Sequence, residues 1–135
     1  MKKIVGAGVY VMPMEKSHIW LGLFPGKDEF DAFFEEQYED DEKPVNAFAG
    51  SQGERFYDAD WLERSFKDNV DMRALIEGHS YSSDYIDLVI EKAGIMGIAR
   101  ANAFVIADTG EIDSPRSVDL ADRKLWYIGV FACRV

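Results

Sequence analysis

The chain has 135 residues, of which 47% are hydrophobic and 13% aromatic; this suffices for a modest core and excludes a disordered chain. A formal charge of -10 excludes direct binding to nucleic acid or to an anionic membrane, because phosphate contacts need clustered Lys and Arg. The lone Cys133 excludes an internal disulfide and fits a reducing cytoplasm, and no run approaches the roughly 18 apolar residues of a membrane-spanning helix.

Met1, Lys2 and Lys3 precede a short apolar run, as in a secretion signal, but no small-residue cleavage site follows, so residues 4–12 read as a strand. Gly6-Ala7-Gly8 lacks the third glycine and the helix start of a dinucleotide fingerprint and reads as part of that strand. After a turn at Pro13, residues 17–24 form a second strand, and the two are expected to pair as a hairpin. In the second strand His18, Trp20, Gly22 and Phe24 face one way, Ile19, Leu21 and Leu23 the other. Both faces are largely apolar, which predicts a central strand.

Residues 28–39 switch to helical spacing, with Phe30, Phe33, Phe34 and Tyr38 on one side and carboxylates on the other. Nine acids (Asp28, Glu29, Asp31, Glu35, Glu36, Glu39, Asp40, Asp41 and Glu42) fall in fifteen residues without a Lys or Arg. Of 25 acids in all, 25 − 9 = 16 remain against 15 basic residues elsewhere, so nearly the whole net charge sits in this segment. Asp28 and Glu29 suit the positive end of a helix, whereas Glu35 to Glu42 sit at its negative end, where helix making does not account for them.

Residues 43–55, with Pro44, Gly50 and Gly53, read as a loop, followed by a short helix capped by Asp58 or Asp60 and carrying Trp61, Leu62, Ser65 and Phe66. A further helical turn or two is expected over residues 71–77, ended by Gly78. Ser82 or Ser83 can cap a longer helix with Ile86, Val89, Ile90 and Ala93 as its apolar stripe and Gly97 as its stop. Residues 101–107 and 124–133 read as strands joined by a polar segment. The pattern predicts one α+β domain over residues 1–135, a mainly antiparallel sheet of about four strands packed against a block of helices.

No cofactor, metal or catalytic site is expected. Two histidines and one cysteine lack metal-ligand spacing, the consecutive acids at residues 39–42 lack the alternation of a calcium loop, and no nucleophile elbow is present. His79, Ser80 and Ser82 read as structural groups beside a helix start.

His18-Ile19-Trp20-Leu21-Gly22, the acidic helix ending in Glu39-Asp40-Asp41-Glu42, Tyr57-Asp58-Ala59-Asp60-Trp61, the run from His79 to Ile86, and Ala101-Asn102-Ala103 occur in an order that resembles the immunity protein 22 family, over roughly residues 17–113. The resemblance implies a small α+β protein that neutralises a cognate toxin of a bacterial polymorphic toxin system by binding it. Fixed carboxylates suit a toxin with a basic surface, such as a nuclease cleft, and the expected partner-binding residues are Glu35, Glu36, Glu39, Asp40, Asp41 and Glu42. The alternative reading is an acidic adaptor or nucleic-acid mimic that engages a basic host protein.

Overall fold

Strands with two apolar faces need cover on both sides, and the computed structural model, which describes residues 3–5, 9–11 and 14–134, provides it. The elements in chain order are β1 (Lys3–Val5), β2 (Val9–Val11), β3 (Met14–Leu23), α1 (Lys27–Phe34), α2 (Ala47–Ser51), β4 (Leu62–Phe66), α3 (Met72–Ile76), α4 (Ile86–Ile95), β5 (Ala103–Asp108), β6 (Val118–Asp119) and β7 (Lys124–Arg134). Single 3₁₀ turns cover Ala59–Trp61 and Ser82–Asp84. Among the described residues β1 and β2 pair only with each other, and the main sheet has five antiparallel strands in the order β4-β5-β3-β7-β6. The expected α+β architecture holds, with one more strand than anticipated.

The alternation in β3 divides the core as its sequence requires. Trp20 and Phe24 join Phe30, Phe33 and Phe34 of α1 and Phe48 of α2 on one face. Ile19 and Leu21 join Leu75 and Ile76 of α3 and Ile86, Val89 and Ala93 of α4 on the other. Burying each such side chain stabilises by about 1.5–3 kcal/mol, so both layers hold the same strand. Beyond the strand end, Asn102 imitates a backbone partner: Phe24 N donates to its Oδ1 and its Nδ2 donates to Phe24 O, both at 2.9 Å.

Between β3 and β7 the register shifts, with Ile19 opposite Gly129 and Trp20 opposite Tyr127, so Ile128 is an extra residue in the ladder. Gly129 has φ +143°, a conformation in which a larger residue is strained; the Lys92 amine, 2.9 Å from where a Cβ would lie, ends a flexible side chain that can move aside. Ile128 packs in the α3/α4 layer before the bulge, and Phe131 and Cys133 do so after it.

Several local expectations are corrected. The described residues of the first apolar run pair with one another and not with residues 17–24, because β3 is taken on both sides by β5 and β7. Gly6-Ala7-Gly8 and the Pro13 turn lie outside the described residues. α1 stops at Phe34, so Glu35, Glu36 and Glu39 are not helical; Glu35 is extended (φ −66°, ψ 120°), which spares the carboxylates the negative end of a longer helix. The segment at residues 43–55 contains α2, capped by Asn46, whose side chain accepts from Ala49 N at 2.8 Å. Residues 62–66 form the strand β4 and not a helix, because Leu62 and Phe66 bury on one face while pairing with Ala107 and Ala103 of β5. The expected helix over residues 71–77 is α3, with Asp71 accepting from Ala74 N. Neither Ser82 nor Ser83 caps α4: the 3₁₀ turn runs into it through Tyr85, and Ser82 Oγ donates to Glu77 O at 2.9 Å. The polar connection before the last strand contains β6.

Candidate functional site

Helix α1 ends where its buried phenylalanines end, and the next ten residues, 35–44, return the chain over the surface to Val45. Gln37 organises this return. Its backbone N donates to Val45 O at 2.7 Å, and its side-chain amide donates to Asp40 O at 3.1 Å and Pro44 O at 2.9 Å, while Asp40 N donates to Gln37 Oε1. Asp40 forms a turn of its own, its Oδ1 accepting from Glu42 N at 3.0 Å. Below the loop, the buried Asn46 donates to Phe34 O and to the Tyr57 hydroxyl, tying the end of α1 to α2.

Glu35, Glu36, Glu39, Asp41 and Glu42 are exposed on this loop, and Asp40 is half-buried. Tyr38, the residue expected to continue the apolar stripe, is 65% exposed and donates its hydroxyl to Glu36. None of the six carboxylates is in an ion pair among the described residues; the nearest cationic pairing, Lys27 with Asp31, lies within α1. The loop therefore presents unneutralised negative charge on a backbone pinned at several points. The spacing of acids in the sequence located the charge, but nothing in the sequence marked Gln37, and only Asn46 ahead of Ala47-Phe48-Ala49 carried a capping signal.

A second acidic concavity lies on the α3/α4 face at the end of the sheet. Glu15, Asp60, Glu63 and Asp108 line it together with the exposed Trp61 and Tyr81, and among the described residues no Lys, Arg or His does. Its volume of about 220 Å³ is below the roughly 300 Å³ at which small-molecule pockets begin. Sequence reasoning missed it because its acids come from three strands and a turn far apart in the chain.

His79 sits beside this concavity. Its Nε2 is 2.7 Å from Ser65 Oγ, its Nδ1 is 3.1 Å from Glu63 Oε1, and its ring lies 4.6 Å from that of Phe104. Burial holds the imidazole below its ordinary pKa, so it is neutral at pH 7: Nδ1–H donates to Glu63 and Nε2 accepts from the Ser65 hydroxyl. Burial raises the Glu63 carboxyl, but hydrogen bonds from Ser80 and His79 outweigh it and leave the group below its ordinary value. Hydroxyl, imidazole and carboxylate stand in the order of a nucleophilic triad. The Ser65 oxygen also faces Leu75 O at 3.4 Å beneath α3, and Ser80 N donates to Glu63, so the chain ties the turn after α3 to β4. His18, on the opposite face, is fixed between the Tyr127 hydroxyl and Ile112 O. Among the described residues no group of three His, Cys, Asp or Glu is placed to hold a metal ion, and no helix is long and apolar enough to cross a membrane.

The family model described as Immunity protein 22 matches residues 17–133. Its span begins at β3 and continues past Asp113 through β7, so the C-terminal tail is inside the family pattern. No curated protein and no solved structure matches the chain. The chain belongs to the Immunity protein 22 family, a class whose general role is to neutralise toxins and which works in general without catalysis.

Proposed function

We propose that this member of the family binds a cognate bacterial toxin with a basic surface, of the nuclease kind, and neutralises it by occupancy and without turnover. The observation that carries the reading is the loop at residues 35–42, whose exposed carboxylates have no cationic partner among the described residues and whose backbone is held by Gln37. A cleft built to receive phosphates concentrates Lys and Arg, and fixed carboxylates of matching spacing satisfy those charges in place of the substrate. Neighbouring acids within about 8 Å add their fields at physiological salt and speed encounter with such a partner. Glu35, Glu36, Glu39, Asp40, Asp41 and Glu42 form this surface. Asp40 also shapes the turn, so charge reversal is cleaner at Glu39 and Asp41.

The test uses the purified product of the toxin gene neighbouring that of this chain. Association should be fast and steeply salt-dependent, and the Glu39→Lys/Asp41→Lys variant should associate at least about tenfold more slowly with a flatter salt dependence. Equal rates for variant and unaltered chain across the salt series would remove the loop from the interface, and absence of any complex would remove the function.

A further inference from the structure

The free edge of β4 is the second place where the fold offers unused bonding capacity. Lys67 N donates to Asn102 O at 2.9 Å, and Thr109 N to Lys16 O at 3.1 Å. With the β4–β5 register of Glu63 opposite Ile106 and Ser65 opposite Phe104, this alternation turns the backbone groups of Glu63 and Ser65 towards β5 and those of Arg64 and Phe66 outward. Among the described residues no strand pairs with that outward side. All five residues of β4 line a groove there, walled on one side by Lys27, Phe30 and Asp31 of α1 and on the other by His79. The groove meets the acidic concavity at Leu62 and Glu63, which line both.

We propose that β4 receives an extended segment of the partner toxin as an added strand, and that a Lys or Arg of that segment enters the concavity between Trp61 and Tyr81. The site rests on the toxin-binding reading above and adds a second point of contact to it. Backbone pairing gives such a contact its affinity and side-chain pockets give it its selectivity. The segment's carbonyls accept from Arg64 N and Phe66 N, and its amides donate to the carbonyls of the same two residues. Asp60, Glu63 and Asp108 line the concavity together with Trp61 and Tyr81, and among the described residues no Lys, Arg or His does, so charge complementarity and cation–π attraction both select a basic side chain. A second copy of the chain fits poorly: antiparallel self-pairing centred on Arg64 places like charges directly opposite each other. Continuity with the acidic loop is physical, since the Arg64 guanidinium lies 4.9 Å over the ring of Phe34, the last residue of α1.

Hydrogen exchange on the unaltered chain with the neighbouring toxin should show the amides of Arg64 and Phe66 slowed at least about tenfold in the complex. Arg64→Pro deletes an outward amide that β5 does not use, a position where a strand tolerates proline. It should weaken binding about tenfold relative to Arg64→Ala, which keeps the amide. Asp60→Lys should weaken binding to a similar degree. Unprotected amides, or equal affinities for Arg64→Pro and Arg64→Ala, overturn the added strand, and an unchanged affinity for Asp60→Lys overturns the basic anchor. Should Arg64→Pro fail to fold, the exchange measurement on the unaltered chain decides. If the toxin binds and Glu39→Lys/Asp41→Lys slows it while the β4 amides stay unprotected, this inference fails and the function stands. If no complex forms, both fail.

Discussion

His79 couples acidity to stability at the scale of one residue. Its folded pKa lies below the ordinary 6.5 because burial opposes the charge, so as pH falls the unfolded chain takes up the proton first. Stability is therefore complete above 6.5 and declines as pH drops from 6.5 towards the folded value. His18 is lowered by burial in the same way and contributes to the same slope. Replacing His79 by Gln should flatten the decline between about pH 7.5 and about pH 5, as read from urea midpoints at several pH values. An unchanged slope would show that the imidazole takes up its proton equally in both states. Glu63 adds a second decline below its ordinary 4.5, since its folded value is lowered and the native carboxylate is lost only in stronger acid.

At the scale of an element, the loop at residues 35–42 separates two contributions to binding that are usually confounded. Its carboxylates supply the field, and Gln37 supplies the order. Gln37→Ala leaves every charge in place but removes the side-chain bonds to Asp40, Lys43 and Pro44. Association should keep its salt dependence while affinity falls about tenfold, because ordering the loop then costs entropy on binding; parallel rate and equilibrium measurements over a salt series check this. The acids' exposure was legible in the sequence, because Phe30, Phe33 and Phe34 had to face the core. The helix end was not: Tyr38 continues the apolar spacing, and only the tertiary bonds of Gln37 and Asn46 show why the chain leaves the helix at Glu35. β4 failed for a related reason. Leu62 and Phe66, four apart, fit a helix stripe as well as a strand face, and the decision belongs to β5, some forty residues later.

Across the whole molecule, β3 contributes Ile19 and Leu21 to one layer and Trp20 and Phe24 to the other, so neither layer can open without baring a face of the same sheet. Urea unfolding should be a single transition, with tryptophan fluorescence and far-ultraviolet dichroism superimposing; two resolved midpoints would show that the layers melt independently. The fold class was readable because β3, β5 and β7 are apolar on both sides. The acidic concavity was not, because Glu15, Glu63 and Asp108 become neighbours only through the antiparallel registers of β3, β4 and β5. The bulge at Ile128 and Gly129 imposes a counting rule on this architecture. Up to Ile128 the even-numbered residues of β7 look towards α4; from Phe131 the odd-numbered ones do. Loss of the extra residue Ile128 would make the ladder regular and keep Phe131 and Cys133 on that side, but loss of a residue beyond the bulge, such as Val130, would turn Phe131 away and offer Ala132 to its space. Descendants of this sequence can therefore vary side chains along β7 far more freely than they can vary its length.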